Sequence, residues 1–181
     1  MGNRFNASRR SQAEDLKKAS ANHENILIVG PGNGVDLKFY SNIDANLVLV
    51  EPSLNMAKIL TKKVEGLQNV QIINKDFLNV HLQRQMFDKV LLHFVLSATP
   101  KPNEMLSKAS SLLKADGVIS VLDVAQPIPK WSKLAFNWFT KRTMFDLKLD
   151  LEKLFKELEF NLYLTENLIE FKIFKRWILK K

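Results

Sequence analysis

Val29-Gly30-Pro31-Gly32-Asn33-Gly34 begins with the last residue of the apolar run 25–29 and continues as a glycine-rich turn. This stretch indicates the fold of the chain. A continuous apolar run of this length is typical of a strand buried on both faces of a sheet. Glycines let the backbone turn sharply and approach a ligand closely, and the start of a following helix offers free N–H groups. The stretch therefore predicts a strand, a ligand-binding turn and a helix, although the glycines alone fit a purely structural turn equally well.

Apolar runs alternate with helical patterns along the rest of the chain, which predicts one α/β domain over residues 1–181 with a mostly parallel sheet. The further parallel strands are predicted at residues 47–50, 70–73, 87–93 and 118–122. Helices are predicted at residues 8–21 within an N-terminal segment 1–23, from residue 53 to about 64, from 100 to near Gly117, and at 150–158. The final apolar runs, 162–168 and 171–179, predict a C-terminal antiparallel hairpin, for seven strands in all.

The composition excludes several classes of function. The chain has no cysteine, so disulfides, thiolate zinc sites and cysteine nucleophiles are excluded. No apolar run reaches the ~18 residues of a membrane span, and the first residues lack the apolar core of a secretory signal, so a cytoplasmic protein is expected. The net charge of +8 would attract nucleic acid, anionic lipid or anionic small molecules, without choosing among them.

Two acidic residues follow the second and third predicted strands. Glu51 lies 21 residues after Gly30, where α/β nucleotide-binding folds place an acid that accepts hydrogen bonds from ribose hydroxyls. Asp76 could accept a hydrogen bond from the exocyclic amine of an adenine, with Phe77 supplying a backbone N–H or an apolar wall. These groups and Gly32 are expected to meet at the carboxyl ends of the strands. The alternatives are a solvated strand-end glutamate and an ordinary turn aspartate.

This arrangement resembles the class I S-adenosylmethionine-dependent methyltransferases over about residues 24–124, and more loosely over the last 30. The stretches that carry the resemblance are Gly30 to Gly34, Val50-Glu51-Pro52-Ser53 with Met56, Asn74-Lys75-Asp76-Phe77, Phe87-Asp88-Lys89-Val90 through Pro102, and Leu112 to Gly117. The last two look like the quinone and phospholipid branch. The resemblance implies a Rossmann-like sheet with helices on both faces and S-adenosylmethionine as cofactor.

Within that resemblance, the glycine turn cradles the methionine part of the cofactor, Glu51 holds the ribose, and Asp76 with Phe77 holds the adenine. His93, at the end of the fourth strand, is placed near the sulfonium. The implied cofactor-binding residues are Gly30, Pro31, Gly32, Asn33, Gly34, Glu51, Pro52, Met56, Asp76, Phe77 and His93.

The chain departs from the family pattern at two positions. Ile28 stands two residues before the first glycine, where the family usually has an acid that orders the turn and helps hold the cofactor's amino group. Asp36 could substitute from a different position. Asp116-Gly117 stands where two glycines are usual. Ile28 implies weaker cofactor binding or altered chemistry, and it motivates a second hypothesis, a non-catalytic protein of this fold that binds a partner or a membrane.

Other nucleotide and metal chemistries fit the sequence less well. One residue separates Gly32 from Gly34, whereas the dinucleotide-binding fingerprint has two at that point. No P-loop is present, and no metal cluster is predicted because the three histidines, His23, His81 and His93, are far apart in sequence. His93 alone falls at the expected ligand edge, where it is a candidate general base, although packing is the more common role of a lone histidine there.

The segment 128–145 bears on the methyl acceptor. Trp131, Phe136, Trp138 and Phe139 lie there among lysines and an arginine, a composition that suits peripheral contact with a membrane or an apolar cap over the cofactor. A lipid-like acceptor, such as a quinone precursor or an aminophospholipid, is favoured. RNA is the alternative because of the charge, although residues 94–97 lack the Asn/Asp-Pro-Pro-Tyr type motif of base-amine methyltransferases.

Overall fold

The computed structural model describes residues 23–35, 37, 45–125, 149–167 and 174–181. The predicted helix at 8–21, the residue Asp36 and the aromatic segment 128–145 lie outside these ranges. Those features, and the assignment of residues 1–181 to a single domain, therefore stay predictions.

A seven-stranded sheet forms the centre of the described residues, in the order β3-β2-β1-β4-β5-β7-β6. The strands are β1 (Glu24–Val29), β2 (Ala45–Val50), β3 (Val70–Ile73), β4 (Phe87–His93), β5 (Leu113–Val124), β6 (Asn161–Asn167) and β7 (Phe174–Lys180). The first five strands are parallel to one another, and β7 is antiparallel to both β5 and β6. This confirms the predicted mostly parallel sheet and its C-terminal antiparallel hairpin.

The strand order reverses beside β1. The chain runs outward through β2 and β3, then returns to place β4 on the other side of β1. Open α/β sheets bind ligands at such a switch point, outside the carboxyl ends of the strands. The glycine turn follows β1 at this position.

Three α-helices of the described ranges pack on the sheet: α1 (Leu54–Lys63), α2 (Pro102–Leu112) and α3 (Leu151–Glu157). Local sequence sets where they begin. The Ser53 side chain accepts a hydrogen bond from the Met56 N–H, at 3.4 Å, and caps α1. Proline stands in the first turn of α2, where its missing N–H costs no hydrogen bond. Asp150 caps α3.

The alternation of buried side chains along the strands separates two apolar cores. Leu27 of β1 faces the larger core, in which Leu106 of α2 and Phe155 of α3 are fully buried. Its neighbour Ile26 faces the smaller core, which Leu60 of α1 completes. The central strands are therefore covered on both faces by helices, as predicted, and this explains their continuous apolar sequence.

The boundary between α2 and β5 differs from the sequence prediction. The helix ends at Leu112 instead of continuing to near Gly117, because Leu113 takes an extended backbone, with φ −72° and ψ 143°, and pairs with Phe87. The register then shifts, and Val118 pairs with Lys89. Residues 114–117 are thus an irregularity within β5, where the sequence pattern predicted the end of a helix.

Candidate active site

The glycine turn is fixed by main-chain hydrogen bonds and by close packing. The Gly30 N–H donates to the Val50 carbonyl at 2.8 Å, and the Gly34 N–H donates to the Pro31 carbonyl at 3.0 Å. Gly34 has a φ of +67°, and a Cβ added there would lie 2.6 Å from Leu60. The positive φ therefore favours glycine at Gly34, and a Cβ there would also displace the Leu60 side chain.

Gly32 differs from its neighbours because it faces open space. Its φ is +59°, but a Cβ placed on it would meet nothing within 4 Å. No other residue of the described ranges therefore covers the Gly32 backbone on the side where a side chain would project. The turn therefore leaves room for a ligand to lie directly against the main chain.

Glu51 joins the glycine turn to the start of α1. Its side chain is 5% exposed. Its Oε2 accepts from the Gly32 N–H and its Oε1 accepts from the Ser53 N–H, each at 2.9 Å. The Asn74 side chain donates to the Glu51 carbonyl at 2.7 Å. The carboxylate is thus buried and oriented rather than solvated, and its oxygens have lone pairs left to accept from a ligand hydroxyl.

Asp76 and Phe77 take different positions at the end of β3. Asp76 is exposed, and its Oδ1 accepts from the Leu78 N–H at 2.8 Å, which caps the 3-10 helix Phe77–Asn79. The Phe77 ring is 2% exposed and belongs to the larger core. Of the two contributions predicted for Phe77, the backbone N–H is therefore the one that it could offer a ligand.

Lys108 of α2 supports this 3-10 helix and was missed by the sequence reasoning. Its Nζ donates to the Leu78 carbonyl at 2.9 Å and to the Val80 carbonyl at 2.6 Å, and it lies 5.1 Å from the centre of the Phe77 ring. Burial lowers the pKa of Lys108, and the charge of Asp76 opposes that shift. Lys108 occupies an ordinary polar position of an amphipathic helix, so the sequence carries no signal for this role.

A cavity of about 210 Å³ joins the glycine turn to the end of β4. It is lined by Ile28, Val29, Gly30, Pro31, Asn33, Gly34, Val35, Leu37, His93 and Phe94. The structure thus brings His93 beside the glycine turn, and Glu51 reaches that turn through Gly32. Pro52, Met56 and Asp76 are exposed and do not line this cavity. Ile28 gives the cavity an apolar wall.

The turn after β4 forms the second side of the cavity. Phe94 has a φ of +57°, which is uncommon for a residue with a bulky side chain. Its N–H donates to the Leu122 carbonyl at 2.7 Å, and its ring packs edge-on against Phe174, with centroids 5.5 Å apart.

Asp123, at the end of β5, holds the far side of this turn and is a second residue that the sequence reasoning missed. Its carboxylate is fully buried and accepts from the Ser97 hydroxyl, from the Ser97 N–H at 3.1 Å and from the Val124 N–H at 2.8 Å. Burial raises the pKa of Asp123, and the hydrogen bonds from Ser97 oppose that shift. An aspartate directly after the apolar run 118–122 is the signal that could have identified it.

Within the described ranges, no group of three or more His, Asp or Glu side chains is placed to hold a metal ion. None of the helices in those same ranges is both long enough and apolar enough to cross a bilayer.

The parallel sheet, its switch point beside a glycine turn and the antiparallel β7 together define the class I S-adenosylmethionine-dependent methyltransferase fold. The chain belongs to the methyltransferase domain family, whose model matches residues 27–121. A SAM-dependent methyltransferase from Aquifex aeolicus has the same fold, with a TM-score of 0.69 and 15% identity, over 92% of this chain and 88% of that one.

Two curated relatives are similar to parts of the chain. A demethylmenaquinone methyltransferase from Staphylococcus saprophyticus is 27% identical over 95 residues, which is 52% of this chain and 41% of the relative. A ribosomal RNA small subunit methyltransferase A from Clostridioides difficile is 33% identical over 67 residues, which is 37% of this chain and 23% of the relative. The chain therefore spans less than half the length of either relative.

Proposed function

We propose that this protein transfers a methyl group from S-adenosylmethionine to an apolar ring acceptor, a quinone precursor of the demethylmenaquinone type. The observation that carries the proposal is the contact between the Gly32 N–H and Glu51 at 2.9 Å, because it joins a bare backbone turn to a buried acid at the switch point. The similarity to a demethylmenaquinone methyltransferase supports this choice of acceptor.

The residues at the carboxyl edge fit the proposed cofactor. The open space at Gly32 would take the methionine part against the backbone. Glu51 is already oriented by two N–H donors, and a carboxylate can accept from both hydroxyls of a ribose. Asp76, exposed beyond the end of β3, would accept from the adenine amine. Pro52 and Met56 border the same edge, after Glu51.

The cavity suits a reaction that is accelerated mainly by the positioning of its two reactants. Bound cofactor supplies an activated methyl group, so that a ring carbon–methyl bond forms as the sulfur–methyl bond breaks and the ring loses a proton. A quinone is itself an electrophile, so the acceptor must be the reduced hydroquinone. Ile28 and Phe94 provide apolar walls that hold a ring in place and exclude water. His93 lines the same cavity and would accept the proton.

Calorimetry with S-adenosylhomocysteine and S-adenosylmethionine tests the cofactor, with NADH as the control ligand. We expect both sulfur compounds to bind at sub-millimolar concentration and NADH not to bind. If neither sulfur compound binds, the proposal is overturned, and the non-catalytic hypothesis that Ile28 motivates is favoured.

Transfer of a radiolabelled methyl group tests the acceptor. Reduced demethylmenaquinone, phosphatidylethanolamine and ribosomal RNA are each supplied with labelled S-adenosylmethionine. We expect label in the quinone fraction only. Label in the phospholipid or the RNA, with none in the quinone, would reject the proposed acceptor while retaining the proposed cofactor.

RNA is the second candidate acceptor. The net charge of +8 and the similarity to a ribosomal RNA methyltransferase favour it, since basic surfaces bind phosphate backbones. An RNA enzyme would bind ribosomal RNA with an affinity that falls steeply with salt, and gel-shift titration at two salt concentrations measures this.

Contact with a membrane at a cytoplasmic location is a further part of the proposal, because a quinone precursor is lipid-like. It depends on the segment 128–145, in which Trp131 and Trp138 are the largest apolar side chains. Co-sedimentation with anionic vesicles should fall when both tryptophans are changed to alanine. Equal sedimentation of wild type and variant would remove this segment from the proposal.

A further inference from the structure

A fully buried carboxylate stands at the carboxyl edge of the sheet, and the chemistry proposed above does not use it. Asp123 is 0% exposed and lies on β5, beside the end of β4. Burial of a carboxylate is costly unless donors satisfy it. The groups that donate hydrogen bonds to Asp123 therefore indicate which part of the chain this carboxylate holds in place.

Ser97 supplies two of those donors, its N–H and its hydroxyl. Ser97 lies within the turn that leaves β4, in which the Ala98 N–H donates to the Val95 carbonyl at 3.2 Å. One carboxylate thus binds both the main chain and the side chain of the same turn residue. The link ties the turn to the adjacent strand rather than to its own.

The same turn is strained and reaches the cavity. Phe94 has a positive φ, a conformation that persists only where surrounding contacts enforce it. A methyl carbon of Val95 lies 3.0 Å from the position that a Cβ on Gly30 would take, so the turn abuts the glycine turn. His93 and Phe94 both line the cavity between the two.

We infer that Asp123 is a positioning residue for methyl transfer, which acts through Ser97 to hold the strained turn that presents His93 and Phe94 to the cavity. This inference rests on the proposed function for the reaction that the turn serves. Asp123 itself contacts neither cofactor nor acceptor, because it is fully buried. It sets the position of the cavity wall and leaves the glycine turn and Glu51 to bind the cofactor.

The test separates catalysis from cofactor binding in the full-length chain. Ser97→Ala removes the hydroxyl donor, and Asp123→Asn puts an amide NH₂ against an N–H or hydroxyl donor. We expect both to lower kcat for reduced demethylmenaquinone by about tenfold to 100-fold, as misplacement of a catalytic wall does. The Kd for S-adenosylhomocysteine should stay within about threefold of wild type, because neither substitution changes the glycine turn or Glu51, which would bind the cofactor.

Two control variants identify the contact. Ser97→Thr keeps the hydroxyl and should recover most of the activity. Ser110→Ala removes a buried hydroxyl from α2, outside the cavity, and should leave kcat unchanged. A general loss of stability would instead lower kcat and cofactor affinity together in both alanine variants, and that result would overturn the inference.

Hydrogen exchange of the amides at residues 94–98 supplies a readout that needs no acceptor. Exchange in this turn should accelerate in Asp123→Asn, while the β1 amides keep their protection. Unchanged exchange at 94–98 would overturn the inference. If wild type does not methylate reduced demethylmenaquinone but exchange accelerates as expected, the proposed acceptor fails and the role of Asp123 in holding the turn stands.

Discussion

Glu51 and Asp123 place two buried carboxylates at the carboxyl edge of the sheet, where each orders a neighbouring loop. Both carboxylates are buried, at 5% and 0% exposure, and a buried charge must be satisfied by donors. Glu51 accepts main-chain N–H groups from two different loops. Asp123 accepts from Ser97 and from its own strand. Each acid thereby fixes a loop beside the cavity instead of meeting solvent.

Glu51→Gln tests the acid at the glycine turn. A glutamine has one carbonyl oxygen, so it can accept from the Gly32 N–H or the Ser53 N–H but not from both. Charge-assisted hydrogen bonds contribute about 1.5–3 kcal/mol, so we expect the Kd for S-adenosylhomocysteine to rise by about tenfold to 100-fold in calorimetry.

The matched control for this change is Glu24→Gln. Glu24 also sits at a strand end, but it pairs with Lys89 at 2.7 Å at the opposite edge of the sheet. Its loss should leave the Kd unchanged. Equal weakening by both variants would remove Glu51 from the proposed site.

The pH dependence of stability tests the burial of Asp123. Burial raises its pKa above the ordinary value of 3.8, so the folded protein holds this proton more tightly than the unfolded chain does. Its contribution to stability is fully present below the unfolded-state pKa and is lost as pH rises through the folded-state pKa. With Asp123→Asn as the non-titrating reference, the wild-type-minus-variant difference in unfolding free energy should therefore fall with rising pH.

Urea titrations at intervals from about pH 4 to pH 8 measure that difference. Taking the difference cancels groups common to both proteins, such as Asp88. Burial would raise the pKa of Asp88, but hydrogen bonds from Lys114 and Asn25 hold it below its usual range. A difference that stays constant with pH would contradict the burial of an ionisable Asp123.

Residues of the candidate site were predictable from sequence where their role is local. The glycine turn lies between an apolar run and a helix pattern, and Glu51 follows the next strand at a characteristic spacing. Asp123 and Lys108 depend on contacts distant in sequence, across 26 residues to Ser97 and 30 residues to Leu78. Such contacts exist only once the sheet has formed. The position of Asp123 after an apolar run could therefore mark the residue but not its partner, and no pattern in the sequence marks Lys108.

At the scale of elements, strands were predicted better than the junctions between them. Strands β1 and β4 are buried on both faces, so their apolar runs mark them directly. The junction of α2 with β5 depends instead on the pairing of Leu113 with Phe87 and on the register shift after it. Strand pairing selects among local conformations that the sequence of residues 113–117 leaves open.

The packing of α2 against the 3-10 helix Phe77–Asn79 gives a prediction at this scale. Lys108→Met removes both hydrogen bonds to the Leu78 and Val80 carbonyls but keeps an apolar stem over Phe77. We expect the loop that carries Asp76 to loosen, and the Kd for S-adenosylhomocysteine to rise by roughly threefold to tenfold. This is less than for Glu51→Gln, because the lost charge-assisted bonds hold the loop and do not contact the ligand.

Lys108→Arg and Lys101→Met are the comparisons for this variant. Lys108→Arg keeps the charge and the donors, so this variant should bind S-adenosylhomocysteine nearly as tightly as wild type does. Lys101 precedes α2, is exposed, and pairs only at the surface with Glu104, a contact that contributes little. If Lys101→Met weakens binding as much as Lys108→Met, the support of the 3-10 helix by Lys108 is wrong.

At the scale of the whole molecule, the order of the strands determines where the site lies. Reversal of the strand order beside β1 brings the glycine turn and the end of β4 to one cavity. The two final apolar runs predicted a hairpin but not that β7 would insert between β5 and β6. Trp177 of β7 shows why it does: the ring is 1% exposed, lies 5.6 Å from Phe155 of α3, and its Nε1 donates to Glu152. Burial of this indole against α3 favours the inner position for its strand.

Because the proposed cofactor would contact turns after β1, β2 and β3 together, its binding should stabilise the fold as a unit. A ligand that binds only the folded state at 100 times its Kd adds about 2.7 kcal/mol to the unfolding free energy. For a chain of this size that corresponds to a rise in Tm of about 5–10 °C. Thermal denaturation with S-adenosylhomocysteine should show this rise in wild type, and a smaller one in Glu51→Gln at the same ligand concentration. NADH should produce none, and a Tm that does not move with millimolar S-adenosylhomocysteine would contradict a cofactor site built across these three strands.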